Sequence, residues 1–325
     1  MKIKRRTKIF IITFTLSLLF FWGINLMEKS LSEFFFWHEL SKHRHIFKAH
    51  VALSQKMNEM APLKNRFAPE LELEAKSAIS VLIADDKERI LFEKDIDEKL
   101  AMASLTKLMT AIIALEHYDL SKKIIISEES VNQHGSINKL EQGKSFTAKY
   151  LLYPLLIESS NNAAFALAND YPEMNEKLFV ELMNQKAKEL EMKNTFFINS
   201  SGLDPEDFNG KTNYSTVDDL TKLTKELLEN PIIWEILSLP RYSEYGPELI
   251  NTNRFLIDNE TDWQKRIVGG KTGYTRQAGG CLLLVVEMPR NQGFLVSIIL
   301  GANGRDVRFY EMKKLVDWLK IAYQW

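Results

Sequence analysis

Cysteine is almost missing from this chain: Cys281 is the only one in 325 residues, so no intrachain disulfide forms and pairing does not report the redox compartment. Beside the apolar run Leu282 to Val286 it reads as a small buried hydrophobe. Net charge is missing too. Forty-two basic and 43 acidic side chains leave -1 at pH 7, which gives no support to nucleic-acid binding. No internal repeat, phosphate-binding glycine loop or metal-ligand motif occurs, so no cofactor and no metal is expected. What remains is an ordinary globular composition, 45% hydrophobic and 26% charged, sufficient for a substantial core.

The first eight residues carry five basic side chains (Lys2, Lys4, Arg5, Arg6, Lys8) and no acid, and Ile9 to Met27 is a 19-residue apolar run without a charge. Such a run is long enough to span a bilayer, and the basic flank holds the amino terminus in the cytoplasm while the remainder is exported. No small-x-small cleavage site follows, so the reading is an uncleaved anchor rather than a signal peptide. The expected division is a cytoplasmic basic segment at 1–8, a transmembrane anchor at 9–27, a helical stalk at 28–74 and a folded domain at 75–325. His38, His43, His45 and His50 fall in the stalk. They form two pairs seven residues apart, but no cysteine or carboxylate completes a familiar ligand set, and they read as solvated.

From residue 75 onward strands lie at both ends and helices between. Ser77 to Ala84 and Arg89 to Phe92 read as a hairpin, Cys281 to Met288 and Phe294 to Leu300 as another, and Phe309 to Ile321 as a closing amphipathic helix. A mixed sheet built from distant segments is expected, hence an α+β fold. Glu173 to Glu191 reads as a long helix, Ser215 with Asp218 as a capping box for the next, and Leu239 to Asp262 as loop without chemistry.

Three places carry candidate chemistry. Ser104 and Lys107 lie one turn apart at the entrance of the apolar run Leu105 to Leu115, so the amine reaches the hydroxyl on its own face. A serine needs a base, and lysine serves only with a lowered pKa; the helix N-terminus and an apolar surrounding both disfavour its ammonium form. The bland alternative is a capping serine followed by a surface lysine. The same spacing recurs at Ser136 and Lys139, in a polar stretch with no apolar helix behind it, and is set aside as solvated loop. The second place is Ser159-Ser160-Asn161-Asn162, polar residues wedged between apolar helices. Either they cap the next helix, or one hydroxyl relays a proton and one amide orients a substrate or a lysine; Ser159/Asn161 and Ser160/Asn162 both fit. The third is Lys271-Thr272-Gly273-Tyr274 among further glycines, offering a cation and a hydroxyl to a carboxylate, or simply a glycine-rich turn.

In this order, Ser104-x-x-Lys107, Ser159-x-Asn161 and Lys271-Thr272-Gly273 closely resemble the motifs of the serine D-alanyl-D-alanine carboxypeptidases, the low-molecular-weight penicillin-binding proteins. The likeness extends over about residues 75 to 323 and includes Asn199 to Asp204 and Gly270 to Thr275 with Ala278-Gly279. It favours Ser159/Asn161, since Ala163 supplies the small residue the family has there. It implies a penicillin-binding protein/β-lactamase-like fold, an antiparallel sheet packed with a helical subdomain. It also implies an acyl-serine mechanism on peptidoglycan stem peptides, with β-lactams as covalent inhibitors. Ser104 would be the nucleophile, Lys107 its base, Ser159 the proton relay, Asn161 the holder of the substrate amide, and Lys271 and Thr272 the carboxylate site. The backbone N–H groups of Ser104 and Tyr274 would form the oxyanion hole. Only about 50 residues follow Gly273, too few for the β-rich second domain and terminal membrane helix of many members, so anchoring is expected at the amino terminus. Members without that extra domain include cross-link endopeptidases, which stand as the alternative. A β-lactamase would need a further carboxylate; Glu181 lies in the right part of the chain but on an amphipathic helix face. A non-catalytic penicillin-binding sensor is the remaining reading.

Overall fold

The computed structural model describes residues 62–84, 87–135, 140–205, 211–244, 247–258, 261–289 and 292–325. The basic segment, the apolar run at 9–27, the stalk and its histidines up to residue 61, and the second serine-lysine spacing at 136–139 lie outside them. Among the described residues no helix is long and apolar enough to cross a membrane. Residues 62–74, expected as the end of a helical stalk, contain a two-residue strand and no helix.

The chain divides into two units. In Met1–Asn65 with Tyr323–Trp325, Leu63–Lys64 pairs antiparallel with Tyr323–Gln324. Arg66–Ala322 holds a five-stranded antiparallel sheet of β1 (Ser77–Ala84), β2 (Lys87–Lys94), β3 (Ile267–Thr275), β4 (Gly279–Glu287) and β5 (Phe294–Ala302) in the order β3-β4-β5-β1-β2. The sheet joins distant segments of this unit, with Ile79 opposite Ile298 and Val81 opposite Val296. Strands β4 and β5 are buried almost throughout, which is why both read as unbroken apolar runs rather than alternating ones.

The helices are α1 (Thr106–His117), α2 (Ala148–Leu156), α3 (Asn161–Phe165), α4 (Glu176–Glu189), α5 (Val217–Leu228), α6 (Pro231–Leu237) and α7 (Val307–Ala322). Helix α1 is buried from Thr106 through Ala114 and is enclosed by α2, α4 and α5. Each large apolar side chain fully buried there, such as Leu108 or Ile112, contributes about 1.5–3 kcal/mol.

Helix starts differ from expectation in instructive ways. Thr216, not Ser215, caps α5 by accepting from the Asp219 N–H at 3.1 Å; Ser215 Oγ lies 2.7 Å from Thr195 Oγ1 instead. Helix α4 starts at Glu176 behind the Asn175 cap, because Glu173 has a left-handed φ of +67° that no helix accepts. Helix α5 ends at Leu228, and Pro231 opens α6, where its missing N–H at the first turn is harmless. Within the region read as loop, Arg241–Tyr242 pairs with Leu249–Ile250.

Candidate active site

The first candidate hydroxyl sits on a strained turn. Ala103 has φ +48°, and Ala103–Leu105 forms a 3-10 turn that runs into α1. Three neighbours hold it. Thr106 Oγ1 donates to the Ala103 carbonyl at 2.8 Å, Asn213 Nδ2 donates to Thr106 Oγ1 at 3.0 Å, and the Met102 N–H donates to the Asn213 carbonyl at 3.3 Å. Gly202 presses on the same carbonyl so closely that a Cβ there would lie 2.0 Å from Ala103 O. Neither this turn nor α1 is closed by a side-chain cap, so Ser104 is not a capping serine. It is half-buried, and its hydroxyl faces Lys107.

Lys107 is fully buried, which excludes the surface-lysine reading. Its Nζ lies 2.9 Å from Ser104 Oγ and donates to Asn161 Oδ1 at 2.7 Å and to the Ser201 carbonyl at 2.6 Å. Two acceptors take two N–H bonds, so in a neutral amine the remaining lone pair points at Ser104. Burial pushes the Lys107 pKa down from 10.5 to about 7.

Pro154 lies two residues before the end of α2, and its carbonyl accepts from the Ser160 N–H at 2.9 Å. The segment then separates its four polar residues by role. Ser160 caps α3 by accepting from the Ala163 N–H at 3.2 Å, so the capping reading holds for this serine. Ser159, at φ +62°, is turned away from the helix, and its Oγ accepts from Lys271 Nζ at 2.7 Å. Asn161 Nδ2 donates to the His134 carbonyl at 2.6 Å, and Asn162 Nδ2 to the Val131 carbonyl at 2.8 Å.

On β3, Lys271 is fully buried and also donates to the Thr272 carbonyl at 2.8 Å. Burial, then the nearby Lys107 and Arg308, hold its pKa well below the ordinary lysine range. Thr272 Oγ1 donates to Thr252 Oγ1 at 2.7 Å, and Arg308 Nη1 donates to the Gly273 carbonyl at 2.6 Å. Gly273 has to be small: a Cβ would come within 3.1 Å of Ala103 Cβ, Met102 O and Ser104 N, so the strand edge lies directly against the Ser104 turn. Tyr274 is 46% exposed beyond it.

Ser104, Lys107, Asn161, Ser159, Lys271, Thr272 and Gly273 are thus joined by direct contacts over some 170 residues of sequence. Ser201, Asn213, Thr252 and Arg308 belong to the same assembly and were not singled out in the sequence; Thr252 lies in the stretch read as chemically empty. A cavity of about 830 Å³, lined among others by His134, Glu176, Ser201 and Arg276, opens beside Ser201, one of the two acceptors of Lys107. Glu181 is exposed on α4, and it is Glu176 that lines this cavity, 3.3 Å from Ser200 Oγ. A half-exposed hydroxyl beside an amine whose charged form burial disfavours, with a second hydroxyl tied to a buried amine, can attack an acyl carbon and return the proton to a leaving group.

The family model described as D-alanyl-D-alanine carboxypeptidase matches residues 64–304. The D-alanyl-D-alanine carboxypeptidase DacF of Bacillus subtilis is 34% identical over 267 residues, 78% of this chain and 64% of that protein. A D-alanyl-D-alanine endopeptidase of Pseudomonas aeruginosa is 32% identical over 78% of this chain and 80% of its own length. The chain therefore spans a little under two thirds of the DacF relative. Among solved structures, penicillin-binding protein D2 of Listeria monocytogenes in its ampicillin-bound form superposes with a TM-score of 0.66 at 29% identity, covering 77% of this chain and 99% of that one. A Mycobacterium tuberculosis D-alanyl-D-alanine carboxypeptidase, at 24% identity and TM-score 0.68 over 79% of this chain and 95% of its own, shares the fold.

Proposed function

Because the chain belongs to the D-alanyl-D-alanine carboxypeptidase family, we propose that it removes the terminal D-alanine from peptidoglycan stem peptides through an acyl-serine intermediate. The observation that carries this reading is the Lys107 amine, stripped of solvent and with two of its hydrogens engaged, 2.9 Å from Ser104 Oγ. The substrate's terminal carboxylate pairs with Lys271 and Thr272 Oγ1, which sets the scissile carbonyl over Ser104. Lys107 takes the hydroxyl proton as Oγ bonds to the carbonyl carbon. The resulting oxyanion faces the backbone N–H groups of Ser104 and Tyr274. As the tetrahedral species collapses, the C–N bond breaks and Ser159 Oγ passes a proton to the departing D-alanine amine while the proton taken by Lys107 replaces it, which leaves Lys107 neutral again. Water then attacks the ester, Lys107 takes its proton, and Ser104 is restored. A β-lactam enters the same path, its ring amide standing for the peptide bond, and remains as an adduct on Ser104.

Around this chemistry we place the apolar run at 9–27 as a single membrane anchor, with the catalytic unit on the outer side of that membrane. Incubating the full chain with a stem pentapeptide is expected to release free D-alanine, and mass spectrometry after penicillin treatment to find the drug on Ser104. No release and no adduct would reject the reading. The endopeptidase reading is favoured by one observation, the greater coverage of the Pseudomonas relative, 80% against 64% for DacF. Monomers released from cross-linked dimers in place of D-alanine from pentapeptide would decide for it.

A further inference from the structure

A second cavity, of about 730 Å³, lies away from the catalytic residues along α2 and the paired segments Arg241–Tyr242 and Leu249–Ile250. Its walls hold two stacked aromatic pairs: Phe146 with Tyr150, ring centroids 5.0 Å apart at 18°, and Tyr153 with Tyr242, 4.1 Å apart at 24°. All four rings are partly exposed. The four rings pack against the core yet stay partly exposed around a void of ligand size, which core packing alone would close. Three lysines and two glutamates share the lining, and Lys144 and Glu141 neutralise each other at 2.9 Å. The lining is therefore nearly balanced in charge, which does not select a polyanion.

Two chain routes connect this groove to the site. Tyr153 precedes Ser159 by six residues, mostly helical, a span of about 10–15 Å. Tyr242 pairs with Leu249, three residues before Thr252, whose hydroxyl accepts from Thr272; that span is about 10 Å. An extended five-residue stem reaches about 17 Å. Both spans fall within the reach of a stem whose end lies among the catalytic residues.

We propose that this groove binds the glycan strand of peptidoglycan, holding an amino-sugar ring against the aromatic pairs while the stem enters the catalytic site. The proposal rests on the carboxypeptidase reading and adds the polymer backbone as a second recognised element. A pyranose offers a face of C–H bonds, weakly positive, to the negative face of an aromatic ring, and hydroxyl and acetamido groups at its edge to the polar rim. An uncharged sugar suits a charge-balanced lining.

The test titrates the full chain with peptide-free glycan oligosaccharides by calorimetry, and compares D-alanine release from free pentapeptide with release from pentapeptide carried on glycan strands. Wild type is expected to bind the peptide-free glycan. Tyr242→Ala and Phe146→Ala are expected to weaken that binding about tenfold and to lower kcat/KM on the glycan-borne substrate by a similar factor, with free-pentapeptide kinetics unchanged. Penicillin labelling of Ser104 reports folding; Tyr242→Leu, which keeps bulk and removes the ring, replaces any variant that loses it. No binding of peptide-free glycan by wild type, or equal binding by the ring-deleted variants, overturns the proposal. So does binding that prefers phosphate-rich wall polymers and collapses with salt. Absence of D-alanine release from free pentapeptide by wild type would instead reject the catalytic reading, and the glycan titration would still decide the groove.

Discussion

The rate at which penicillin acylates Ser104 should follow the neutral fraction of Lys107. Burial brings that amine to a pKa of about 7, so about half of it is neutral at pH 7, against roughly 0.03% for a lysine at the ordinary 10.5. Between pH 5.5 and 8.5 the neutral fraction rises from about 3% to about 97%, and this group alone should raise the second-order labelling rate about thirtyfold over that range. Lys271 sets the other side of the profile. Its own depressed pKa means that the carboxylate-binding charge is lost as pH climbs, so kcat/KM on a free-carboxylate substrate should pass through a maximum. The assay is stopped-flow labelling with a fluorescent penicillin, with circular dichroism at each pH to verify that the fold persists. Lys107→Arg, charged at every accessible pH, should lower the rate by about 10²–10⁴ and abolish the rising limb. A wild-type rate that is flat from pH 5.5 to 8.5, or that still climbs tenfold per unit beyond pH 9, would refute the role given to this amine.

Folding stability should carry the same signature with a definite sign. Between about pH 7 and 10.5 the unfolded chain holds one more proton on Lys107 than the folded chain does. Stability from this group therefore decreases as pH falls through that window, by up to about 5 kcal/mol in all, and no further below it; urea titrations at pH 9.5 and 7 should differ by about 3 kcal/mol of this. Gly202→Ala should destabilise by about 3 kcal/mol or more and cut penicillin labelling, since φ is +81° and the new methyl would meet Ala103 O; an unchanged melting curve would refute the clamp. Asn161→Ala frees the Lys107 amine from one of its two acceptors and should slow acylation about 10²-fold with little change in the melting temperature, read by labelling kinetics. Thr252→Val leaves Thr272 Oγ1 without its acceptor and should raise KM for a carboxylate-terminated peptide about tenfold while kcat stays within about twofold.

The parts of this molecule legible in its sequence are those set by local pattern. Unbroken apolar runs marked β4, β5 and α1, and the spacing of Ser104 and Lys107 placed amine and hydroxyl on one face before any tertiary contact was known. The sequence could not separate Ser159 from Ser160 by local rules, because either hydroxyl can cap a helix; the choice is made by Lys271, 112 residues away, which holds one of them. Thr252 left no trace for the same reason. Its neighbours Asn251 and Asn253 look like any polar loop, and only the register of β3 brings Thr272 opposite it. The helix starts at Thr216 and Glu176 were missed by one and three residues, where several capping residues compete and backbone geometry at Glu173 settles the outcome.

The two non-glycine residues with left-handed backbone nearest the chemistry, Ala103 and Ser159, flank or carry the two reactive hydroxyls. Each such conformation costs about 1–2 kcal/mol and persists only where surrounding contacts leave no alternative. At Ala103 those contacts are the Thr106 hydroxyl and the backbone of Gly202; at Ser159 they are Lys271 and the Ser160 hydrogen bond to Pro154. The loop from Asn199 to Gly202 therefore does two things through one segment. Its Ser201 carbonyl takes a hydrogen from Lys107 while its glycine holds the turn that presents Ser104, so base and nucleophile are fixed against the same few backbone atoms and cannot drift independently. That shared footing explains why a pattern of two common residues, cheap as a sequence signal, becomes specific only when Asn199, Gly202 and Asn213 stand behind it.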